Sequence, residues 1–448
     1  MAQPSFALPD QLRYDTSTPS SLGTEVTMSV VTPITGSGNV VVNAGNYFII
    51  NIPKSGDRCV FDAMNSFLRF KLNVQNSQGI ITLAMGGSCD SVFRRLEVFH
   101  GSNVLEQLDQ YNNLSAMLLN SQVNSYDRSN QWSILKGTNP ANPVVFTGDT
   151  ISTTGAGVAG LGSRYFSTTL LSGVVGSLSR CYIPLFALNG NISFRITLDS
   201  PVAAFVSSGA RSADLTNNWV STTDGVWLSD IEFHASIIHC SEQVMQAISM
   251  PMYSIPTEMY NCFEINWTPS NQIEQLLPYK YVSLKTIFLS MRNPNVLNNN
   301  GYHLNSYGSQ NIYQFSLRCG SRIIPPNRVK CPQVQNNIEA FEELKKSFHS
   351  GGNCLASLGC HNVTSYNKYV SNDATGTFQI GLDLEQFSGK SGQIISGLDT
   401  TASDLFFSGT WSTVVNDGST NNTSILADFY SHYDSVLVVV DGQMVIHY

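Results

Sequence analysis

Charge is scarce in this chain. Asp, Glu, Lys and Arg make up 12% of its 448 residues, about half of the ~25% usual for soluble domains. Hydrophobic residues reach 42%, so the composition is globular, and Asn, Ser, Gln and Thr must cover much of the surface. Neutral amides and hydroxyls cost less to desolvate than ions. Such a surface suits a protein that buries much of itself against its own copies. It equally suits a β-rich protein with long polar loops. Cations are scarcer still: Lys and Arg total 24 against 32 Asp and Glu, a net charge of −8, and the longest basic run is a pair (Arg94-Arg95, Lys345-Lys346). This argues against binding along a phosphate backbone, which needs clustered cations. No apolar run approaches a membrane span, and Met1-Ala2-Gln3-Pro4-Ser5-Phe6 has neither a basic n-region nor an apolar h-region. Synthesis and folding in the cytosol is the expectation.

Paired cysteine spacing is also missing. The nine cysteines are odd in number and scattered, several inside apolar runs (Cys240, Cys262, Cys319), which predicts reduced, buried thiols acting as small hydrophobes. Triplets such as Asn113-Leu114-Ser115 and Asn422-Thr423-Ser424 read as composition rather than glycosylation sites, given the absence of a secretory signal.

Catalytic and ligand motifs fail on context. Gly155-Ala156-Gly157-Val158-Ala159-Gly160 matches G-x-G-x-x-G but sits amid Ser, Thr and Gly with no helical pattern after it, whereas a dinucleotide site needs a βαβ setting. Gly389-Lys390-Ser391 resembles the end of a P-loop, but Leu384 stands where the earlier glycine belongs. Cys354, Cys360 and His361 could ligate zinc, but their spacing is not a standard structural one. No His-x-His pair and no Gly-x-Ser-x-Gly elbow occurs. His234, His239 and His447 read as face or rim residues, and Asp383 with Glu385 as one of many i, i+2 carboxylate pairs. No catalytic, cofactor-binding or metal residue is assigned.

What the chain does contain is a repeat. Leu96-Glu97-Val98-Phe99-His100-Gly101-Ser102-Asn103-Val104-Leu105 recurs 219 positions later as Phe315-Ser316-Leu317-Arg318-Cys319-Gly320-Ser321-Arg322-Ile323-Ile324. The same shift carries Leu68-Arg69-Phe70-Lys71-Leu72 onto Ile287-Phe288-Leu289-Ser290-Met291. A unit this long is no solenoid repeat; it implies two complete domains of one fold in tandem. The predicted division is a Pro- and Ser-rich N-terminal arm over 1–25, a first domain over 26–247 and a second over 248–448, with Pro251 and Pro256 near the boundary.

Almost everything after the arm alternates with period two, as in Leu68/Phe70/Leu72/Val74, Ile192/Phe194/Ile196/Leu198, Ile231/Phe233/Ala235/Ile237 and Tyr313/Phe315/Leu317/Cys319. Alternation of this kind marks antiparallel strands with one buried face. Val436–Val440, Asp441-Gly442 and Met444-Val445-Ile446 read as a closing hairpin. Two helices are predicted, one over about 110–120 and one from Asn337 to His349. In the second, Ile338, Phe341, Leu344 and Phe348 form one face, Asn336 and Glu339 make a capping pair, and Glu342 and Lys346 an i,i+4 pair. Polar stretches at about 121–163, 200–226, 294–310 and 350–376 read as long exposed loops.

These residues resemble double jelly-roll major capsid proteins of eukaryotic DNA viruses, of the Polinton-like virus, virophage and adintovirus type, with adenovirus hexon more distant. The resemblance is firmest over Leu277-Pro278-Tyr279-Lys280-Tyr281-Val282-Ser283-Leu284-Lys285-Thr286-Ile287-Phe288, over Tyr313-Gln314-Phe315 leading to Gly320-Ser321-Arg322-Ile323-Ile324-Pro325, and over Phe378–Phe387 followed by Ser396-Gly397-Leu398-Asp399-Thr400. Arg94-Arg95-Leu96-Glu97-Val98-Phe99 and Tyr182-Ile183-Pro184-Leu185 carry it in the first half. The resemblance implies an all-β chain of two tandem eight-stranded antiparallel jelly rolls, with one short helix each and long crown loops. It implies a non-enzymatic capsid subunit whose homotrimer is pseudo-hexagonal and tiles an icosahedral shell. The implied partners are copies of itself, penton and minor capsid or cement proteins, with no direct nucleic-acid contact and no membrane insertion. The implied location is the virion, after synthesis in the host cytosol and assembly in cytoplasm or nucleus. The rival readings are a two-domain jelly-roll carbohydrate-binding protein and a glycoside hydrolase. The five tryptophans (Trp132, Trp219, Trp227, Trp267, Trp411) do not gather on one strand face, as a sugar cleft would favour.

Overall fold

In this computed structural model the described residues are 24–36, 38–54, 56–76, 82–85, 88–138, 145–146, 160–200, 205–208, 225–268, 272–292, 307–332, 337–348, 359–367, 376–385, 397–412 and 424–448. The first half runs β1 (Glu25–Val31), β2 (Val40–Val41), β3 (Tyr47–Ile52), β4 (Cys59–Asn76), β5 (Thr82–Met85), β6 (Phe93–His100), β7 (Asn103–Asp109), β8 (Val145–Phe146), β9 (Gly160–Thr168), β10 (Ile192–Leu198), β11 (Phe205–Ser208) and β12 (Gly225–His239). The second runs β13 (Met252–Trp267), β14 (Gln272–Leu277), β15 (Leu284–Arg292), β16 (Ile312–Cys319), β17 (Arg322–Lys330), β18 (Gln379–Asp383), β19 (Leu405–Trp411), β20 (Ile425–Val440) and β21 (Gln443–His447). A short helix, Glu242–Ile248, lies between the halves.

Two sheets form from strands of the first half alone, in the orders β1-β12-β4-β9 and β3-β10-β6-β7. Two more form from the second half, β13-β20-β15-β18 and β14-β19-β16-β17. Numbering the principal strands of either half from one to eight, both give sheets 1-8-3-6 and 2-7-4-5, every pairing antiparallel. That order, repeated, is the jelly roll made twice. Additions are small: β2 and β21 extend sheets through β12 and β20, and β11-β5-β8 form a separate three-stranded sheet.

The repeat maps onto this topology. Leu68 and Ile287 lie on β4 and β15, the third strand of each lobe, and the fourth strands, β6 and β16, share one pattern of buried and exposed positions. Gly101 and Gly320 close the following turns at φ +60 and +56, where an L side chain would be strained. The predicted terminal hairpin forms between β20 and β21, with Asp441 and Gly442 both at positive φ, as a two-residue hairpin turn requires.

Alternation sends one face of each strand inward. Phe48, Phe70, Phe93, Phe194 and Phe233 fill the first sandwich, with Phe194 and Phe233 edge to face at 5.0 Å. Trp267 packs in the second against Phe407, Trp411 and Phe429 at 5.6–5.8 Å. Each such ring contributes roughly 1.5–3 kcal/mol by leaving water.

The predicted helices occur at Tyr111–Gln122 and Ile338–Ser347. Both start after a left-handed residue, Gln110 at φ 50 and Asn337 at φ 51, rather than a side-chain cap. Glu339 instead accepts the backbone N–H of Lys330 at 2.8 Å, and Asn336 lies outside the described residues. The ion pairs on the second helix are i,i+3, Lys345 to Glu342 and Lys346 to Glu343, not the expected Glu342–Lys346. Ile338, placed on the buried face by periodicity, is 61% exposed. The stretch 121–163 is not all loop: Ser125–Ser129 and Gln131–Lys136 are short helices, anchored by a buried ion pair of Lys136 with Asp90 at 2.7 Å. Further short helical segments thus accompany the one expected in each half.

The thiols are partly as expected. Cys59, Cys89, Cys319 and Cys331 are buried, whereas Cys240, Cys262 and Cys360 are half-buried and Cys181 is exposed. No helix among the described residues is long and apolar enough to cross a membrane.

Candidate functional site

The predicted motif residues scatter. The G-x-G-x-x-G stretch, apart from Gly160 opening β9, lies outside the described residues, as do Gly389-Lys390-Ser391, Cys354 and Trp219. His234 stacks on Phe67 at 4.6 Å and contacts Glu232; His239 meets the Thr27 hydroxyl at 3.1 Å. His447 ends β21. Asp383 accepts the backbone N–H of Glu385, whose own carboxylate lies 3.3 Å from Lys285. No cluster of three metal-binding side chains occurs among the described residues.

The chemistry concentrates instead where the two lobes meet. The helix Tyr111–Gln122 lies on the outer face of the β13-β20-β15 sheet. Its Asn113 amide donates to Asp428 Oδ2 at 2.7 Å, Ser290 Oγ at 2.9 Å and the Tyr430 hydroxyl at 2.9 Å. The Tyr430 hydroxyl donates back to the Gln110 carbonyl at 3.1 Å, and the Gln110 side chain reaches Glu264. Asn113, Ser290, Asp428 and Tyr430 are fully buried. Burial raises the Asp428 carboxyl above its ordinary range, with the adjacent Arg292 opposing this and Glu264 adding to it.

Two further polar groups cross the same seam. Glu106 on β7 accepts Ser172 Oγ at 2.5 Å and the Gly173 N–H at 3.2 Å, and Thr257 on β13 donates to the Gly173 carbonyl at 2.7 Å. Burial pushes the Glu106 carboxyl up to about 7. Glu258, also on β13, gathers Arg180 from the first lobe and Lys285 (2.6 Å) and His432 (3.1 Å) from the second. Burial alone would raise the Glu258 carboxyl, but His432 and Lys285 hold it well below the usual range.

At one end, Asn189 donates through its side chain to the Asp441 carbonyl and through its backbone to that of Gly442, both at 2.9 Å. The Met444 N–H donates to His100 Nδ1 at 3.2 Å. At the other, the Cys360 N–H donates to the Asn120 carbonyl at 2.7 Å, and His361 Nε2 lies 3.0 Å from Ser121 Oγ. Burial lowers the His361 imidazole to about 4, helped by Arg128. Cys360 and His361 therefore join the lobes through hydrogen bonds. A Cβ on Gly359 would sit 1.8 Å from the Asn120 carbonyl oxygen, so only glycine permits this approach.

The seam was not anticipated. In the sequence Asn113 belongs to a triplet, Asn113-Leu114-Ser115, that composition alone explains. Its one sequence signal is an amide pair, Asn112-Asn113, in the first turn of a helix whose middle (Leu114, Ala116, Met117, Leu118, Leu119) is apolar. Asn112 serves the first lobe, donating to Asp199 at 2.7 Å. The arrangement joins the two lobes, since separating them would break this network of buried hydrogen bonds.

No protein-family model matches the chain, and no curated protein sequence matches it. Solved structures do. The chain superposes on PBCV-1 VP54, in a crystal structure fitted into a reconstruction of the virophage Sputnik, with TM-score 0.60 at 10% identity, covering 97% of this chain and 99% of that one. The mavirus major capsid protein gives 0.55 at 8% identity, covering 100% and 95%. The Faustovirus major capsid protein gives 0.54 at 9%, covering 96% and 92%. The likeness therefore spans both lobes, and the chain has a double jelly-roll fold like that of the mavirus and Faustovirus proteins.

Proposed function

We propose that this chain is a major capsid protein, a non-catalytic subunit whose homotrimer forms a pseudo-hexagonal capsomer of an icosahedral DNA-virus shell. One observation carries the reading: the same eight-strand order occurs twice, and a buried polar seam locks the copies into one body. Two like lobes per chain become six in a threefold ring, the outline that tiles a shell. A closed heterologous contact of that kind also covers sheet edges that would otherwise invite uncontrolled pairing. The fold shared with capsid proteins of mavirus and Faustovirus supports the same reading.

The domains are taken as 26–247 and 248–448, with 1–25 as an arm toward neighbouring capsomers or minor proteins. Penton and minor capsid proteins complete the partners, and the virion is the destination after synthesis in the host cytosol. The net charge of −8 leaves genome contact to another component. The carbohydrate-binding and glycosidase alternatives gain nothing, because Trp267 and Trp411 are core residues that cannot line a sugar cleft.

The test is mass measurement of the purified chain in solution, with electron microscopy of concentrated samples. Trimers that form shells or flat arrays with hexagonal packing support the reading. A monomer at every accessible concentration, with no array, overturns it.

A further inference from the structure

One end of the seam rests on a dipeptide with chemistry of its own. Asn189 follows the helical turn Leu185–Ala187 and is exposed. It holds the β20–β21 turn twice, with its side-chain amide on the Asp441 carbonyl and its backbone N–H on the Gly442 carbonyl. A Cβ built on Gly442 would lie 2.1–2.4 Å from the Asn189 amide atoms, so that side chain sits directly on the turn.

The next residue is Gly190. Without a Cβ after it, an asparagine is open to attack on its side-chain carbonyl by the following backbone nitrogen. That nitrogen is unengaged here, since the Gly190 N–H donates to no group among the described residues. The fold does not demand glycine at this point. Its φ lies outside the left-handed region, and a Cβ would meet only His100 Nε2, at 3.5 Å.

We propose that Asn189-Gly190 is a self-modification site, whose deamidation releases the Asp441-Gly442 turn from the first lobe. The Gly190 nitrogen gives up its proton and bonds to Asn189 Cγ. The bond from Cγ to the side-chain nitrogen breaks, and that nitrogen leaves with a proton as ammonia. Water then opens the succinimide ring at either carbonyl, giving aspartate or isoaspartate. One water enters and one ammonia leaves, with no other reactant. Aspartate sets a carboxylate against the Asp441 carbonyl oxygen, two acceptors with no donor between them. Isoaspartate adds a methylene to the backbone and shifts the N–H that Gly442 accepts. The change is one-way and quickens with pH, because the attacking nitrogen must be deprotonated. It takes place within one chain, so it does not depend on the trimeric reading.

The test ages the full chain at mildly alkaline pH, with peptide mapping by tandem mass spectrometry and isoaspartyl methyltransferase labelling at intervals. Acid and isoaspartate should accumulate at residue 189, resolved from Asn300-Gly301, the other such pair in the sequence. Gly190→Ala, whose Cβ fits, should lose that signal while keeping Asn189 and its bonds. Asn189→Asp should speed amide exchange at Met444, whose N–H donates to His100 in the same contact, roughly tenfold, the worth of about one hydrogen bond. The wild-type time course decides the site by itself if either variant fails to fold. An Asn189 that keeps its amide after a synthetic peptide of residues 185–193 has converted overturns the proposal. Conversion that leaves Met444 exchange unchanged overturns the release of the turn.

Discussion

Asn113 and Asp428 stand 315 positions apart, and the Asn113 amide donates to the Asp428 carboxylate at 2.7 Å in a fully buried setting. One residue belongs to each lobe, so this bond ties the two lobes together. Removing the Asn113 side chain leaves Asp428, Ser290 and Tyr430 short of a donor away from water. Asn113→Ala should destabilise the chain by about 1–3 kcal/mol. Asp428→Ala should cost more, about 3–5 kcal/mol, because it also removes the carboxylate paired with the buried Arg292 guanidinium. Denaturant titration gives both values, and equal losses would count against a buried ion pair.

Glu106 makes stability depend on pH in an unusual direction. Its carboxyl titrates at about 7 when folded against an ordinary 4.5, so the folded state binds the proton more tightly. The contribution is fully present below pH 4.5 and is lost as pH rises through about 7. At ~1.4 kcal/mol per pKa unit the loss amounts to about 3 kcal/mol. Glu106→Gln should flatten the stability profile between pH 4.5 and 7, leaving the variant relatively favoured at pH 8. Unfolding midpoints measured across that range would show parallel curves if the carboxyl were not involved.

His361 acts in the opposite direction. Its imidazole is lowered to about 4 from 6.5, so the unfolded chain binds the proton first. Its contribution is complete above pH 6.5 and is lost as pH falls through about 4. Replacement by Gln keeps a polar partner for Ser121 and should remove this acid-side loss. Acid unfolding followed by tryptophan fluorescence reads the difference.

Two turn glycines should respond differently to alanine. Gly101 has φ +60 and open space around a built Cβ, so Gly101→Ala bears backbone strain alone, about 1–2 kcal/mol. Gly442 has φ +76, and its Cβ would lie 2.1 Å from the Asn189 side chain that bonds the same turn. Gly442→Ala should therefore lose more stability than Gly101→Ala and loosen that end of the seam, seen as faster amide exchange at Asn189.

Much of this architecture was legible in the amino-acid order. Strands such as Ile192–Leu198 announce themselves because period-two alternation is a local consequence of the pleat. The Asp441-Gly442 turn is equally local, since positive φ favours those residue types. The 219-residue repeat exposed the duplication because equivalent strands of two like folds face equivalent burial. Periodicity misplaced Ile338, whose helix reserves its buried side for Ala340 and Leu344, because a helical stripe does not say where the covered surface ends.

Sequence by itself determined that the chain is a duplicated, antiparallel β protein with little charge and two principal helices, since each of those properties is written in neighbouring residues. Tertiary structure alone decided which strands pair and how the lobes join. It gathered Asn113, Glu258 and the Cys360-His361 pair into one seam. The reason is physical: a hydrogen bond between residues hundreds of positions apart leaves no periodic trace, and its strength comes from the burial that only the folded chain creates.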